Sequence, residues 1–397
     1  MFKKIGPGVL IAAAFIGPGT IAACTIAGVK FGYALLWAML FSILATMILQ
    51  EMAARLGLVT QKGLADAIKS ELTLKWVRNT IITIILGAIL VGNAAYEAGN
   101  IGGATLGMEA LFGDSYTALY PFVIGILAFA LLWLGSYKAL EKVFVGLIFL
   151  MSISFIITAI LTKPNLMDVA KGLFVPTIPN DGLLMVIALV GTTVVPYNLF
   201  LHASLVNEKW KSKYDLKTAR WDTLLSIGLG GMVSMAIVIA AAAIPRDDVK
   251  GAMDLVLGLE PLFGDTARYF MGIGLFAAGI TSSITAPLAA AYVANSCFGW
   301  NAGLKDWRFR LVWLIILIVG VLFLSLDFKP IEVIQFAQIA NGILLPVIAI
   351  LLVWMVNRSR VMGAYKNNMF QNILAYAIVA IALLLGIKSI LKVLGWV

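Results

Sequence analysis

A chain of 397 residues that is 61% hydrophobic and only 12% charged, with a mean hydropathy of +0.99, is excluded from the ordinary soluble globular class. Its net charge of +9 would fit a nucleic-acid partner if the basic residues gathered on one surface, but they fall in short segments between apolar runs. Cys24 and Cys297 both lie inside apolar runs, which excludes a disulfide framework and any metal-ligand spacing of cysteines.

Charge-free stretches such as Ile5 to Val29, Phe31 to Gln50, Gly182 to Asn207 and Asn367 to Ile387 reach the roughly 18–20 residues that cross a bilayer as a helix. Eleven spans are expected, near 7–29, 34–57, 79–112, 117–137, 143–162, 182–206, 221–244, 266–296, 311–326, 331–356 and 369–391. The expectation is an all-α integral membrane protein with a single transmembrane domain over 1–397. Met1-Phe2-Lys3-Lys4 looks like the start of a signal peptide, yet no polar cleavage region follows, so span 1 is expected to stay. With the N-terminus placed in the cytoplasm, 20 of the 29 Lys and Arg residues fall on that side, among them Lys209, Lys211, Lys213, Lys217 and Arg220. This bias predicts a multi-pass protein of the plasma (inner) membrane, N-terminus inside and C-terminus outside.

Span 1 is interrupted at its middle by Gly17-Pro18-Gly19-Thr20, and span 6 by Val195-Pro196-Tyr197-Asn198. Each is a simple proline kink or a break whose freed backbone groups line a cavity; a matching pair, one in each half, favours the binding site of a secondary transporter. Span 3 carries Asn93, Tyr96, Glu97 and Asn100 on one helical face. An ionisable group at that depth faces the bundle interior, either as a polar relay or as a packed hydrogen-bond network. His202, the single histidine, follows Asn198 by one turn, as a core residue or a proton relay. Gln335, Gln338 and Asn341 in span 10 show similar spacing ahead of Pro346, and Arg308 with Arg310 anchors the start of span 9.

Pro18 and Pro196 stand 178 residues apart, with five spans beginning at each break and one left over. An odd number of helices per unit inverts the second unit relative to the first. The plan is therefore a LeuT-type 5+5 inverted repeat, halves about 1–165 and 175–360, with an extra helix at about 369–391.

At these residues the chain resembles the Nramp family of proton-coupled divalent metal transporters, nearly end to end. The resemblance is carried by Gly6-Pro7-Gly8, by 31–37 and Ala53-Ala54-Arg55-Leu56-Gly57, by the run 191–202, by 274–285, and by Ala337-Gln338-Ile339 with Leu345-Pro346. It implies that Gln338 is a substrate ligand, that His202 matches the second family histidine of span 6, and that Glu97 lies near the family's acidic residues of span 3. The chain departs from the pattern at the breaks. The family's Asp-Pro-Gly-Asn is Gly17-Pro18-Gly19-Thr20 here, and its Met-Pro-His is Val195-Pro196-Tyr197.

Without that carboxylate and thioether, a bare Mn²⁺ or Fe²⁺ is a poor fit, whereas a Mg²⁺ that keeps several waters needs fewer protein ligands. The expected function is secondary transport of a divalent cation, Mg²⁺-like and hydrated, with proton coupling resting on Glu97 and His202. The alternative is an amino acid or other small organic solute, whose carboxylate would meet the Gly-rich break. Candidate substrate contacts are Gly17, Gly19, Thr20, Val195, Tyr197, Asn198 and Gln338; candidate relay residues are Glu97, His202, Asn93 and Asn100. No cofactor, nucleic-acid partner or enzymatic constellation is expected; the lipid bilayer is the constant partner.

Overall fold

The computed structural model of the chain describes residues 6–180, 182–244, 264–325 and 344–393. These are helices joined by short connections, with no strand among the described residues. Apolar residues all round the long helices leave hydrocarbon as the only solvent for the outer faces, so residues such as Ile126, Phe149 and Leu384 stay exposed.

Span 1 forms as two helices, α1 (Pro7–Phe15) and α2 (Pro18–Phe31), bent by 52° at the break. Span 6 likewise divides into α9 (Gly182–Thr193) and α10 (Pro196–Lys209). Both second halves start with proline, which supplies a preset φ and gives up an N–H that would have had no helical partner. Between them run α3 (Leu36–Thr60), α4 (Leu64–Glu71), α5 (Lys75–Phe112), α6 (Tyr120–Trp133), α7 (Tyr137–Leu161) and α8 (Leu166–Phe174). After span 6 come α11 (Leu216–Ala241), α12 (Asp265–Phe298), α13 (Trp307–Ser325), α14 (Leu344–Val356), α15 (Ser359–Met362) and α16 (Met369–Val393).

Among the described residues, eight helices are long and apolar enough to cross a membrane, and the α1–α2 and α14–α15 pairs raise this to ten if each bent pair is one span. The helix expected at 117–137 is the 14-residue α6, shorter than a full crossing. The expected span 331–356 lies outside the described residues up to 343, and with it Gln335, Gln338 and Asn341. Two amphipathic helices, α4 and α8, occupy stretches that hydropathy alone leaves as connections.

The centre of the bundle is built on backbone-to-backbone approach. A Cβ added at Gly107 of α5 would stand 2.4 Å from the Phe276 backbone nitrogen of α12, and one at Gly279 of α12 would stand 2.4 Å from that of Ala104. Small residues let membrane helices close in this way where hydrophobic burial offers no net drive. Charged groups join the helices at their basic ends. Arg55 is 1% exposed and donates to Glu51, to the Tyr365 carbonyl and to Asn367, while Arg220 reaches the same Glu51 at 2.7 Å. The start of α1 is fixed by Asp222 of α11, whose two oxygens accept from the backbone N–H groups of Gly6 and Gly8 at 2.7 and 2.8 Å.

Candidate functional site

Each break leaves carbonyls at the end of one half-helix and amides at the start of the next. At the first break, the last carbonyls of α1 are answered by side chains from the second halves of both spans. The Thr20 hydroxyl donates to the Phe15 carbonyl and stands 3.4 Å from the carbonyl of Thr192 at the end of α9. Tyr197 reaches across from α10 to the Ala14 carbonyl at 3.5 Å, its ring edge-on to Tyr96 with centroids 6.0 Å apart. Thr20 therefore ties the two breaks together, and Tyr197 fills the space beside the first.

Gly17 and Val195 cap α2 and α10 through their backbones, both in extended conformation. The Val195 side chain adds only aliphatic surface, and it is buried. Beyond it, Asn198 is fully buried with neither amide nitrogen nor oxygen partnered among the described residues. A buried amide left bare on both ends is costly, which makes Asn198 a candidate contact for a polar group.

Glu97 and Asn100 come together as expected from their helical spacing. Asn100 Nδ2 donates to Glu97 Oε2 at 3.4 Å, and Glu97 Oε1 has no partner among the described residues. Both residues are buried, Glu97 completely. Asn93, on the same face, instead donates to the Ala286 carbonyl of α12 at 3.0 Å and joins two helices. His202 is also apart from the breaks: its Nδ1 lies 3.0 Å from Gln50 Oε1 on α3, and its Nε2 is unpartnered among the described residues. Gly19 holds an interaction within the described structure.

One group is new relative to the sequence-based expectations. The Ser282 hydroxyl of α12 faces Gly17, 1% exposed and unpartnered among the described residues. Thr20, Tyr197, Asn198, Glu97, Asn100 and Ser282 are all buried, so the breaks are closed to solvent in this conformation. Among the described residues no group of three or more His, Cys, Asp or Glu side chains comes together. The break region thus offers neutral oxygens and amides with one carboxylate behind them, a hard donor set of low charge.

The family model described as natural resistance-associated macrophage protein-like matches residues 8–392. The chain is 29% identical over 398 residues to the divalent metal cation transporter MntH of Klebsiella pneumoniae subsp. pneumoniae, covering 96% of this chain and 92% of that one. It is 28% identical to the MntH of Staphylococcus saprophyticus, covering 99% and 92%. A manganese transporter of Eremococcus coleocola has the same fold at a TM-score of 0.85, with 24% identity over 98% of this chain and 86% of that one. MhsT in complex with L-phenylalanine aligns at 0.67 with 16% identity, covering 97% and 98%. The fold is therefore LeuT-type, shared with carriers of different cargo.

Proposed function

The chain belongs to the natural resistance-associated macrophage protein-like (Nramp) family, a family of membrane transporters and not enzymes, and from that premise we propose that it carries a divalent metal cation across the plasma membrane by alternating access. The cation is a hard one that keeps part of its water shell, Mg²⁺ ahead of Mn²⁺ or Fe²⁺. What carries this reading is the donor set at the breaks: Asn198, Asn100 and Ser282 offer neutral oxygen and amide groups, and Glu97 stands behind Asn100. With Gly17, Val195 and Tyr197 in the family's ligand positions, none of these three supplies a carboxylate or thioether, so full dehydration of the ion is poorly offset there.

Gln338 completes the substrate contacts on the strength of the family resemblance. Proton coupling is assigned to Glu97, the buried carboxylate beside the break, with His202 and Gln50 as a separate polar pair nearer the basic end. The N-terminus lies in the cytoplasm and the C-terminus outside, with a single transmembrane domain built of inverted halves.

Proteoliposomes loaded with a Mg²⁺ or Mn²⁺ indicator test this directly. Saturable Mg²⁺ influx, weaker Mn²⁺ influx and a loss of both in Glu97→Gln are the expected results. Absence of any divalent flux, together with an amino acid that raises the melting temperature, overturns the cation reading. Internal acidification that accompanies Mg²⁺ entry in the wild type tests the coupling; its absence excludes Glu97 from that role.

A further inference from the structure

We propose that Ser282 determines which cation the transporter accepts, its hydroxyl serving as a ligand in the space that a side chain at position 17 would fill. This rests on the divalent-cation reading above. Gly17 has φ −89° and ψ 177°, a conformation open to any residue, so the backbone does not require glycine there. Ser282 does. A Cβ on residue 17 would stand 2.8 Å from Ser282 Oγ and 3.5 Å from its Cβ, with Asn100 Oδ1 at 3.7 Å. The first of these is closer than real Cβ contacts come. A side chain at position 17 would have to turn the Ser282 hydroxyl of α12 aside.

The hydroxyl is also aimed there rather than spent elsewhere. Hydroxyls in membrane helices usually donate to a carbonyl one turn back, and Thr281 and Thr285 do so, whereas Ser282 and the adjacent Ser283 do not; of these two, Ser282 is the one that lies against Gly17. Thr281 donates to the Ala277 and Ala278 carbonyls, and Thr285 to those of Thr281 and Ser282. Ser282 has no such bond, is 1% exposed, and has no other partner among the described residues. Asn100 approaches from the other side: its nitrogen is bound to Glu97, which leaves its oxygen toward Gly17. Two oxygens from α12 and α5 converge on the first break. The Glu97 carboxylate polarises one of them through the amide, as an outer-shell carboxylate does for a metal ligand. Hard, neutral donors with the charge set back suit a partly hydrated Mg²⁺ better than a softer ion.

Purified wild type, Gly17→Ala, Ser282→Ala and the double variant are compared by thermal unfolding and by calorimetric titration with Mg²⁺ and Mn²⁺. Gly17→Ala should lower the melting temperature in the wild-type background and leave it unchanged in the Ser282→Ala background. Ser282→Ala should weaken Mg²⁺ binding roughly 10- to 100-fold, as loss of one partner to a charged group does. Ser282→Cys, which puts a soft sulfur in the same place, should reverse the preference toward Mn²⁺, an effect no purely structural role would produce. Equal destabilisation by Gly17→Ala in both backgrounds overturns the steric coupling. Unchanged Mg²⁺ affinity in folded Ser282→Ala overturns the ligand role while the wild type still binds. A wild type that binds no divalent cation overturns the cation reading itself and the ligand role with it, and is seen before any variant is made.

Discussion

Asp222→Ala should release the first turn of α1 without unfolding the bundle. Both carboxylate oxygens accept buried backbone N–H groups, from Gly6 at 2.7 Å and Gly8 at 2.8 Å, and the residue is 6% exposed. Hydrogen bonds to a charged group contribute about 1.5–3 kcal/mol each, so removing the pair costs the segment about 3–6 kcal/mol. The carboxylate also sits at the positive end of α1, a favourable placement that the alanine loses. Relaxation and entry of water reduce the total, so about 3 kcal/mol is the conservative figure, or roughly a hundredfold loss of protection. Hydrogen–deuterium exchange on the peptide spanning 6–15 reads this at Gly8, Val9 and Leu10, since Pro7 has no amide. Asp222→Asn, which retains one acceptor but turns an NH₂ toward a donor, should fall between. Unchanged exchange in Asp222→Ala would refute the reasoning, because nothing else in the described structure holds the Gly6 and Gly8 amides.

Three further outcomes follow from single contacts. Arg55→Met should cost about 3–5 kcal/mol by thermal or denaturant unfolding, since it strips partners from Asn367, the Tyr365 carbonyl and one side of Glu51 at once; Arg55→Lys should rescue little, lacking the fork that reaches all three, and a near-neutral Met variant would discount the network. Gly57→Ala should destabilise by about 1–3 kcal/mol, because its Cβ would lie 2.1 Å from the Ala203 carbonyl of α10; an unchanged melting temperature would show that α3 and α10 can part there. Burial raises the Asp66 carboxyl above its ordinary range, partly countered by Ser296, Lys69 and Lys62. A raised folded-state pKa favours the protonated form, so the stability it contributes at low pH is lost as pH rises through that value. Asp66→Asn, which cannot ionise, should then raise the melting temperature at neutral pH relative to acid pH when compared with the wild type, and an unaltered pH dependence would remove Asp66 from the account.

The two breaks were legible from the placing of Gly and Pro at the middle of apolar runs, one in each half, which favoured breaks over simple proline kinks, and α2 and α10 begin where the prolines stand. The pairing of Glu97 with Asn100 followed from helical spacing. Contacts between distant segments were not legible. Asp222 stood at the boundary of an expected span with nothing local to show that it grips Gly6 and Gly8, more than 200 positions away. His202 pairs with Gln50 on α3 rather than with the break one turn before it, a choice made by the parallel approach of two helices. Ser282 gives no signal in sequence, since a serine in a small-residue membrane helix commonly bonds its own backbone. The short helices α4 and α8 escaped because a window wide enough to find a membrane span averages them away.

The close approach of α5 and α12 at Gly107 and Gly279 has a bearing on size discrimination. Where two backbones touch, no side chain stands between them to rotate or compress, so the helices that carry Asn100 and Ser282 are held at a fixed spacing. If Asn100 and Ser282 are ligands as proposed, a pair of oxygens held that way would act as a gauge: an ion of larger radius could not gain ligands by widening the gap, as it could in a loop. Under that proposal selection among hard cations would fall to fit rather than to charge, and Ca²⁺, which needs more ligands at longer distances than Mg²⁺, would be the ion turned away.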